Sequence, residues 1–268
     1  MSSIPVFGIQ SFCVITGASR GLGRELALSL GSRLGENSLL VLTARSSSDL
    51  EDTRKQVSTC APGLTVKVLA GDLSDESGVE ETARRLFEGV DCSQYQHAVL
   101  VQNAGSLGEM SYIRNLSPRQ QTLQKYLLLN LTSFITLSTK FLGAFPKREG
   151  LRRSMISIST LCAIEPTKSL SLYCTSKAAR DMFTKTLAVE EPDVRVLNYA
   201  PGVLDTAMNQ EIVTEAGDSE LREMMASVRS TPYFLTPTAT CKVLLKVLTE
   251  DTFKSGDHID YWDVEKPQ

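Results

Sequence analysis

The run Cys13-Val14-Ile15-Thr16-Gly17-Ala18-Ser19-Arg20-Gly21-Leu22-Gly23 decides how the rest of the chain is read. Four apolar or β-branched residues lead straight into a glycine-rich turn, and Leu22, Leu26 and Leu30 then recur at helical spacing through Arg20–Leu34. The run therefore predicts a strand, a tight turn and a helix. Gly17, Gly21 and Gly23 leave the backbone N–H groups of the turn bare, and a helix dipole opens near Arg20, an arrangement suited to a pyrophosphate. The spacing is Gly-x-x-x-Gly-x-Gly, not the usual Gly-x-Gly-x-x-Gly, and it lacks the Lys-Ser or Lys-Thr that a nucleoside-triphosphate loop needs. An ordinary strand-to-helix turn is the competing reading.

Outward from this turn the pattern alternates. Ser38–Ala44 reads as a doubly covered strand that ends at Arg45, Asp49–Ser58 as a polar helix, and Thr65–Ala70 as a third strand closed by Gly71-Asp72-Leu73. Where a dinucleotide binds, the end of the second strand meets the adenosine ribose, so Arg45 there and Arg20 in the turn favour a 2′-phosphate, and hence NADP(H). Two solvated arginines are the alternative. Asp72 reads equally as an adenine contact or as the N-cap of the helix that begins near Asp75. Ala98–Val101 is the fourth strand and leads into Asn103-Ala104-Gly105, which suits a ribose or a plain turn. A long helix over Ser117–Phe145 carries Asn130 in its middle. There follow strand Ser154–Ser159, helix Leu172–Glu190, strand Val194–Tyr199, helix Pro237–Leu248 and a short strand over His258–Tyr261. The polar, irregular stretch Asp205–Ser230 suits a mobile lid. This alternation predicts an α/β protein with a doubly wound parallel sheet of about seven strands, helices on both faces, and a ligand at the carboxyl ends of the strands.

Composition narrows the function. The 268 residues show no compositional break and fit one domain over residues 1–268. A net charge of −3, without a basic patch interleaved with aromatics, argues against nucleic acid. The opening residues lack the regions of a signal peptide and no apolar run of membrane-spanning length is read, so a soluble cytoplasmic protein without a membrane partner is expected. The six cysteines form no Cys-x-x-Cys pair and read as free thiols of a reducing compartment. The two histidines, His97 and His258, lie far apart, so neither a metal site nor a histidine relay is expected.

Chemistry is carried by Tyr173-Cys174-Thr175-Ser176-Lys177, which sets a phenol and an ammonium one helical turn apart. A fixed cation beside a phenol lowers its pKa and makes it a usable proton donor. The strand before this helix ends at Ser159-Thr160, whose hydroxyls could hold a substrate oxygen against Tyr173. Adjacent residues face opposite ways, so one of the two is expected to reach the substrate.

Taken in order, Thr16–Gly23, Asn103-Ala104-Gly105, Asn130, Ser159-Thr160, Tyr173-x-x-x-Lys177 and Pro201-Gly202 resemble the short-chain dehydrogenase/reductase family over nearly the whole chain. The resemblance implies a single Rossmann-type domain. It implies a proton donor at Tyr173, a ribose-binding, pKa-lowering cation at Lys177, a carbonyl-orienting hydroxyl at Thr160 or Ser159 (Thr160 by alignment), and a relay water held at Asn130. The cofactor lining it implies is Gly17, Ala18, Ser19, Arg20, Gly21, Leu22, Gly23, Arg45, Ser46, Asp72, Leu73, Asn103, Ala104, Gly105, Tyr173, Lys177, Leu204, Asp205, Thr206 and Met208. Gln102 departs from the family, where Asn is common.

Within the family, Asn103–Gly108, Leu161-Cys162-Ala163, Lys177–Met182, Val194–Gly202 and Phe253–Gly256 with His258 and Asp260 resemble its pterin-reducing members. That implies NADPH-dependent reduction of a pterin side-chain carbonyl, with Thr160, Tyr173, Gly202 and Asp260 at the substrate and the Asp260 carboxylate on the aminopyrimidine edge. Pro166–Leu172 departs by lacking an aromatic. A general carbonyl reductase and a non-catalytic cofactor-binding sensor are the alternatives. Pairing through the long helices after the fourth and fifth strands implies a homodimer.

Overall fold

The computed structural model describes residues 4–117 and 119–266. Seven parallel strands form one sheet in the order β3-β2-β1-β4-β5-β6-β9. In chain order these are β1 (Ser11–Thr16), β2 (Leu39–Ala44), β3 (Thr65–Ala70), β4 (His97–Gln102), β5 (Arg152–Ile158), β6 (Val194–Ala200) and β9 (His258–Asp260). Two-residue strands β7 (Val203–Leu204) and β8 (Phe234–Leu235) form a separate parallel pair too short to be legible in the sequence.

Strand periodicity explains the layers. Along β1, Cys13 and Ile15 point to one face and Phe12 and Val14 to the other, and every residue of the strand is buried. The first face is covered by α1 (Gly21–Gly31), α2 (Ser47–Cys60) and α9 (Pro237–Glu250). The second is covered by α3 (Glu76–Phe87), α5 (Ser133–Ala144) and α6 (Ser171–Glu190). Burial on both faces makes the inner strands β1 and β2 largely apolar, whereas the edge strand β3 is half exposed. Sequence order reverses between β1 and β4, so the loops after these two strands part there and open a crevice at their carboxyl ends.

Three expectations are corrected. The long helix runs over Gln120–Ala144, with Pro118 outside the described residues, and is interrupted by a π turn at Leu128–Thr132 between α4 (Gln120–Leu127) and α5. By length and composition these 25 residues could cross a membrane, although no continuous apolar run was read there. Polar residues interleave with the leucines, while Leu137 and Phe141 lie buried against the sheet. Finally, Asp205–Ser230 is not irregular. It forms α7 (Ala207–Glu215) and α8 (Ser219–Ser227), the second capped by the Asp218 carboxylate on the Leu221 N–H at 2.8 Å. A four-residue helix, α10 (Tyr261–Val264), follows β9.

Candidate active site

The glycine turn after β1 is built around its missing side chains. Gly17 and Gly21 hold φ of 66° and 54°, and a Cβ on Gly23 would collide with the Gly17 carbonyl. The turn is braced from outside: Arg24 Nη2 donates to Ser19 O at 2.6 Å, its Nε to Thr53 Oγ1 at 3.1 Å, and the Thr53 hydroxyl to Ala18 O at 3.1 Å. Two helices aim at this turn. Arg20 precedes α1 and Thr206 precedes α7 without capping either, no acid lies in their first turns, and the Thr206 methyl stands 3.6 Å from where a Gly21 Cβ would be. By contrast, side chains of Ser46, Asp75 and Thr236 cap α2, α3 and α9. Uncapped N–H groups at the starts of α1 and α7, beside a turn kept open by glycines, fit an anionic dinucleotide. Arg20 and Arg45 are exposed and unpaired among the described residues, Arg45 at the end of β2.

Several residues expected on the cofactor are occupied elsewhere. The Ala18, Leu22, Leu73 and Leu204 side chains are in the core, so only their backbones can face a ligand. Ser46 caps α2. Asp72 accepts the Ser74 N–H at 2.9 Å and hydroxyl at 2.7 Å, while the cap of α3 is Asp75, three residues on. Asn103 gives its side-chain amide to Thr16 O at 3.0 Å and Gly17 O at 3.1 Å, tying β4 to the glycine turn. Ala104 and Gly105 follow it along this edge, and Asp205 is exposed beside α7. The departure at Gln102 is structural: its buried amide donates to Phe134 O at 3.1 Å and Ser138 Oγ at 2.8 Å.

Helix α6 presents Tyr173, Ser176, Lys177, Arg180, Asp181 and Thr184 along its buried stripe. Two successive turns of it hold two successive residues at the end of β5. Lys177 Nζ donates to Ile158 O at 2.6 Å, and the Asp181 carboxylate accepts the Ser159 hydroxyl at 2.7 Å. Ser159 is thereby turned from the phenol. Thr160, one residue on, accepts the Cys162 N–H at 3.3 Å and is the hydroxyl that lowers the Tyr173 pKa, whereas Ser159 is held by Asp181.

The electrostatics differ from expectation. Burial pushes the Tyr173 phenol well above its ordinary value, the Cys162 sulfur adds to the rise, and Arg180 and the Thr160 hydrogen bond pull the other way. Lys177 lies 5.6 Å from the Tyr173 ring centroid, and burial, then Arg180, drive its own pKa well down. Arg180 is a further cation whose charge lowers the Tyr173 pKa. Its guanidinium is buried, donates to Ala104 O and Gln102 O at 3.1 Å each, and stacks 4.2 Å over the Phe134 ring, with a pKa lowered to about 10 by desolvation. Arg180 was missed in the sequence. The available signal was a run of charged residues on the inward stripe of an amphipathic helix, where charge is costly unless used.

Asn130 sits in the π turn, fully buried. Its Oδ1 accepts the Ser106 N–H at 2.9 Å and its Nδ2 donates to Tyr126 O at 3.0 Å, so the side chain holds the loop after β4. Met208 on α7 and Tyr173 share one apolar cluster with Leu107, Met110, Leu170, Ile212 and Leu221, so α7 and α8 pack down onto the phenol. Tyr112 bonded to Asp218, and Lys168 paired with Glu220 at 2.6 Å, tie this cover to its surroundings. Gly202 takes φ of 77° beside Leu235. Asp260 is half-buried at the end of β9, and burial raises its carboxyl pKa. It also caps α10: Oδ1 accepts the Trp262 N–H at 2.9 Å, and its side chain closes a capping box with Asp263.

His258 is not isolated. Its Nδ1 lies 2.6 Å from the second Asp181 oxygen, a contact between residues 77 apart in the chain.

Comparison with known proteins agrees with this geometry. The family model for short chain dehydrogenases matches residues 11–217. Sepiapterin reductase of Rattus norvegicus is 43% identical over 253 residues, covering 94% of this chain and 96% of the relative, and that of Xenopus tropicalis is 39% identical with the same coverage. The crystal structure of the KRED1-Pglu enzyme superposes with a TM-score of 0.78 at 26% identity, over 93% of this chain and all of that one. A glycine turn at the switch point, a Tyr-x-x-x-Lys helix behind it and these matches place the chain in the short-chain dehydrogenase/reductase family, with sepiapterin reductases among its relatives.

Proposed function

We propose that this chain reduces the side-chain carbonyl of a pterin, with NADPH as the reductant and sepiapterin or 6-pyruvoyl-tetrahydropterin as substrate, at the end of tetrahydrobiopterin synthesis. The observation that carries the reading is the buried Tyr173 with Lys177 5.6 Å from its ring on α6, in a chain with sepiapterin reductases as relatives. Bound NADPH would supply a hydride to the carbonyl carbon. Burial keeps Tyr173 protonated at neutral pH, as a proton donor to the carbonyl oxygen must be, and Arg180 stabilises the phenolate left behind. Thr160 holds the same oxygen, Lys177 the ribose, and the Asp260 carboxylate the aminopyrimidine edge. Arg20 and Arg45 take the 2′-phosphate. Asn130 serves the relay by shaping the loop at Ser106.

The α7–α8 pair is the lid, closed over Tyr173 by Leu107, Met110, Ile212 and Leu221. That apolar wall favours a second reading, a general reductase of diketones, quinones or steroids. Exposed Leu127, Met182 and Val189 on α4 and α6 supply the apolar face of a homodimer, and six free thiols suit the cytoplasm. NADPH oxidation with sepiapterin, beside NADH and a ketone panel, tests the reading. Turnover preferring sepiapterin and NADPH is expected, equal rates with simple diketones would establish the second reading, and no turnover with any carbonyl would leave only a cofactor-binding sensor.

A further inference from the structure

Asp181 joins parts of the site that are far apart in the chain. One oxygen accepts the hydroxyl of Ser159, the residue before Thr160, and the other meets Nδ1 of His258, two residues before Asp260. Both partners are deep: the His258 side chain is 8% exposed and that of Asp181 4%. A carboxylate fixes the His258 tautomer, since Nδ1 must carry a proton to donate to it. His258 Nε2 is buried with no hydrogen-bond partner among the described residues, so the Asp181 contact is its polar anchor.

The sheet makes this contact consequential. β9 is the edge strand and is only three residues long, with His258 opposite Asn198, Ile259 opposite Tyr199 and Asp260 opposite Ala200. Such a short ladder holds its register weakly. Side chains supplement it. Thr184 Oγ1 donates to Asn198 Oδ1 at 2.7 Å, Asn198 Nδ2 to Gly256 O at 3.2 Å, and His258 to Asp181, so α6 reaches across β6 to fix β9.

We infer that Asp181 and His258 are positioning residues: the buried Ser159–Asp181–His258 bridge sets the carbonyl-holding end of β5 and the pterin-anchoring end of β9 at a fixed separation, and so contributes to specificity for a two-ended substrate. The pterin part rests on the proposed function. His258→Ala should raise KM for sepiapterin about tenfold, while kcat for diacetyl, which has no second end to anchor, stays within about twofold. His258→Asn should restore KM, because its amide N–H can stand where Nδ1–H stood. In an Asp260→Ala background His258→Ala should add little, since the anchor it positions is gone.

Equal losses with both substrates, failure of the Asn rescue, or full additivity with Asp260→Ala would overturn the bridge as a specificity device. NADPH affinity and urea midpoints, measured on each variant, identify any that are merely unfolded. A wild-type chain that reduces diacetyl but not sepiapterin would refute the pterin reading alone. The bridge would then stand or fall on Asp181→Asn, expected to lower kcat for diacetyl about tenfold through displacement of Thr160 and overturned by an unchanged kcat.

Discussion

The two ends of the sheet both bury cations, and they treat them differently. At the amino ends of β5 and β6, Arg153 meets Glu191 at 2.9 Å and Asp193 at 2.5 Å, while Arg152 and Arg195 share Asp251 at 2.7 and 2.8 Å. Three arginines there have three carboxylates. At the carboxyl end, Lys177 and Arg180 donate to backbone carbonyls, and the acid beside them, Asp181, accepts from Ser159 and His258. Charge at the first end is neutralised in place, as stability requires. Charge at the second is left for a ligand and a developing phenolate, as chemistry requires.

Breaking the carboxyl end should cost turnover. Tyr173→Phe should lower kcat by about a thousandfold while NADPH affinity, read by fluorescence titration, stays within a factor of about three. Unchanged turnover would remove the phenol from the mechanism. Breaking the other end should cost stability instead. Arg153→Met leaves Glu191 unpaired and Asp193 with Lys147 alone, and because both acids are partly in water the loss in urea unfolding should be about 2–3 kcal/mol, with kcat at low temperature near wild type.

The stable end also carries a pH dependence. Burial holds His97 neutral with its pKa lowered to about 3, with Nδ1 3.0 Å from Val6 O and Nε2 2.8 Å from Ser154 Oγ. In the unfolded chain it titrates near 6.5. Between these values the unfolded state binds the extra proton, so the stabilisation is complete above 6.5 and is lost progressively as pH falls toward 3. From pH 6.5 to 5 the loss should be about 2 kcal/mol, and His97→Gln should abolish that slope in urea titrations. An unaltered slope would assign the acid sensitivity to other groups. Arg45→Ala is the mildest change, expected to raise KM for NADPH about tenfold and leave NADH untouched. Equal effects on both cofactors would make Arg45 a surface arginine.

Much of this was legible because it is local. The strand–turn–helix at Cys13–Gly23 follows from a change of apolar period and from glycines at fixed offsets, and the spacing of Tyr173 and Lys177 already puts them on one helical face. Asp72 and Asp75 show where local reading falters: both precede the same helix, and which one caps it depends on a backbone angle no composition specifies. The bracing role of the Asn103 side chain was not legible, because its partners Thr16 and Gly17 lie 87 and 86 residues away.

The sequence by itself determined the alternation of strands and helices, the glycine cradle and the phenol–ammonium spacing, since each is set by neighbours within a turn or a strand. Tertiary structure alone decided that Arg180 is buried beside the phenol, that Ser159 is bound by Asp181, and that His258 closes on Asp181 across 77 residues. Those outcomes depend on strand register and on which face of α6 the sheet buries, and chain entropy opposes them until the whole core has assembled.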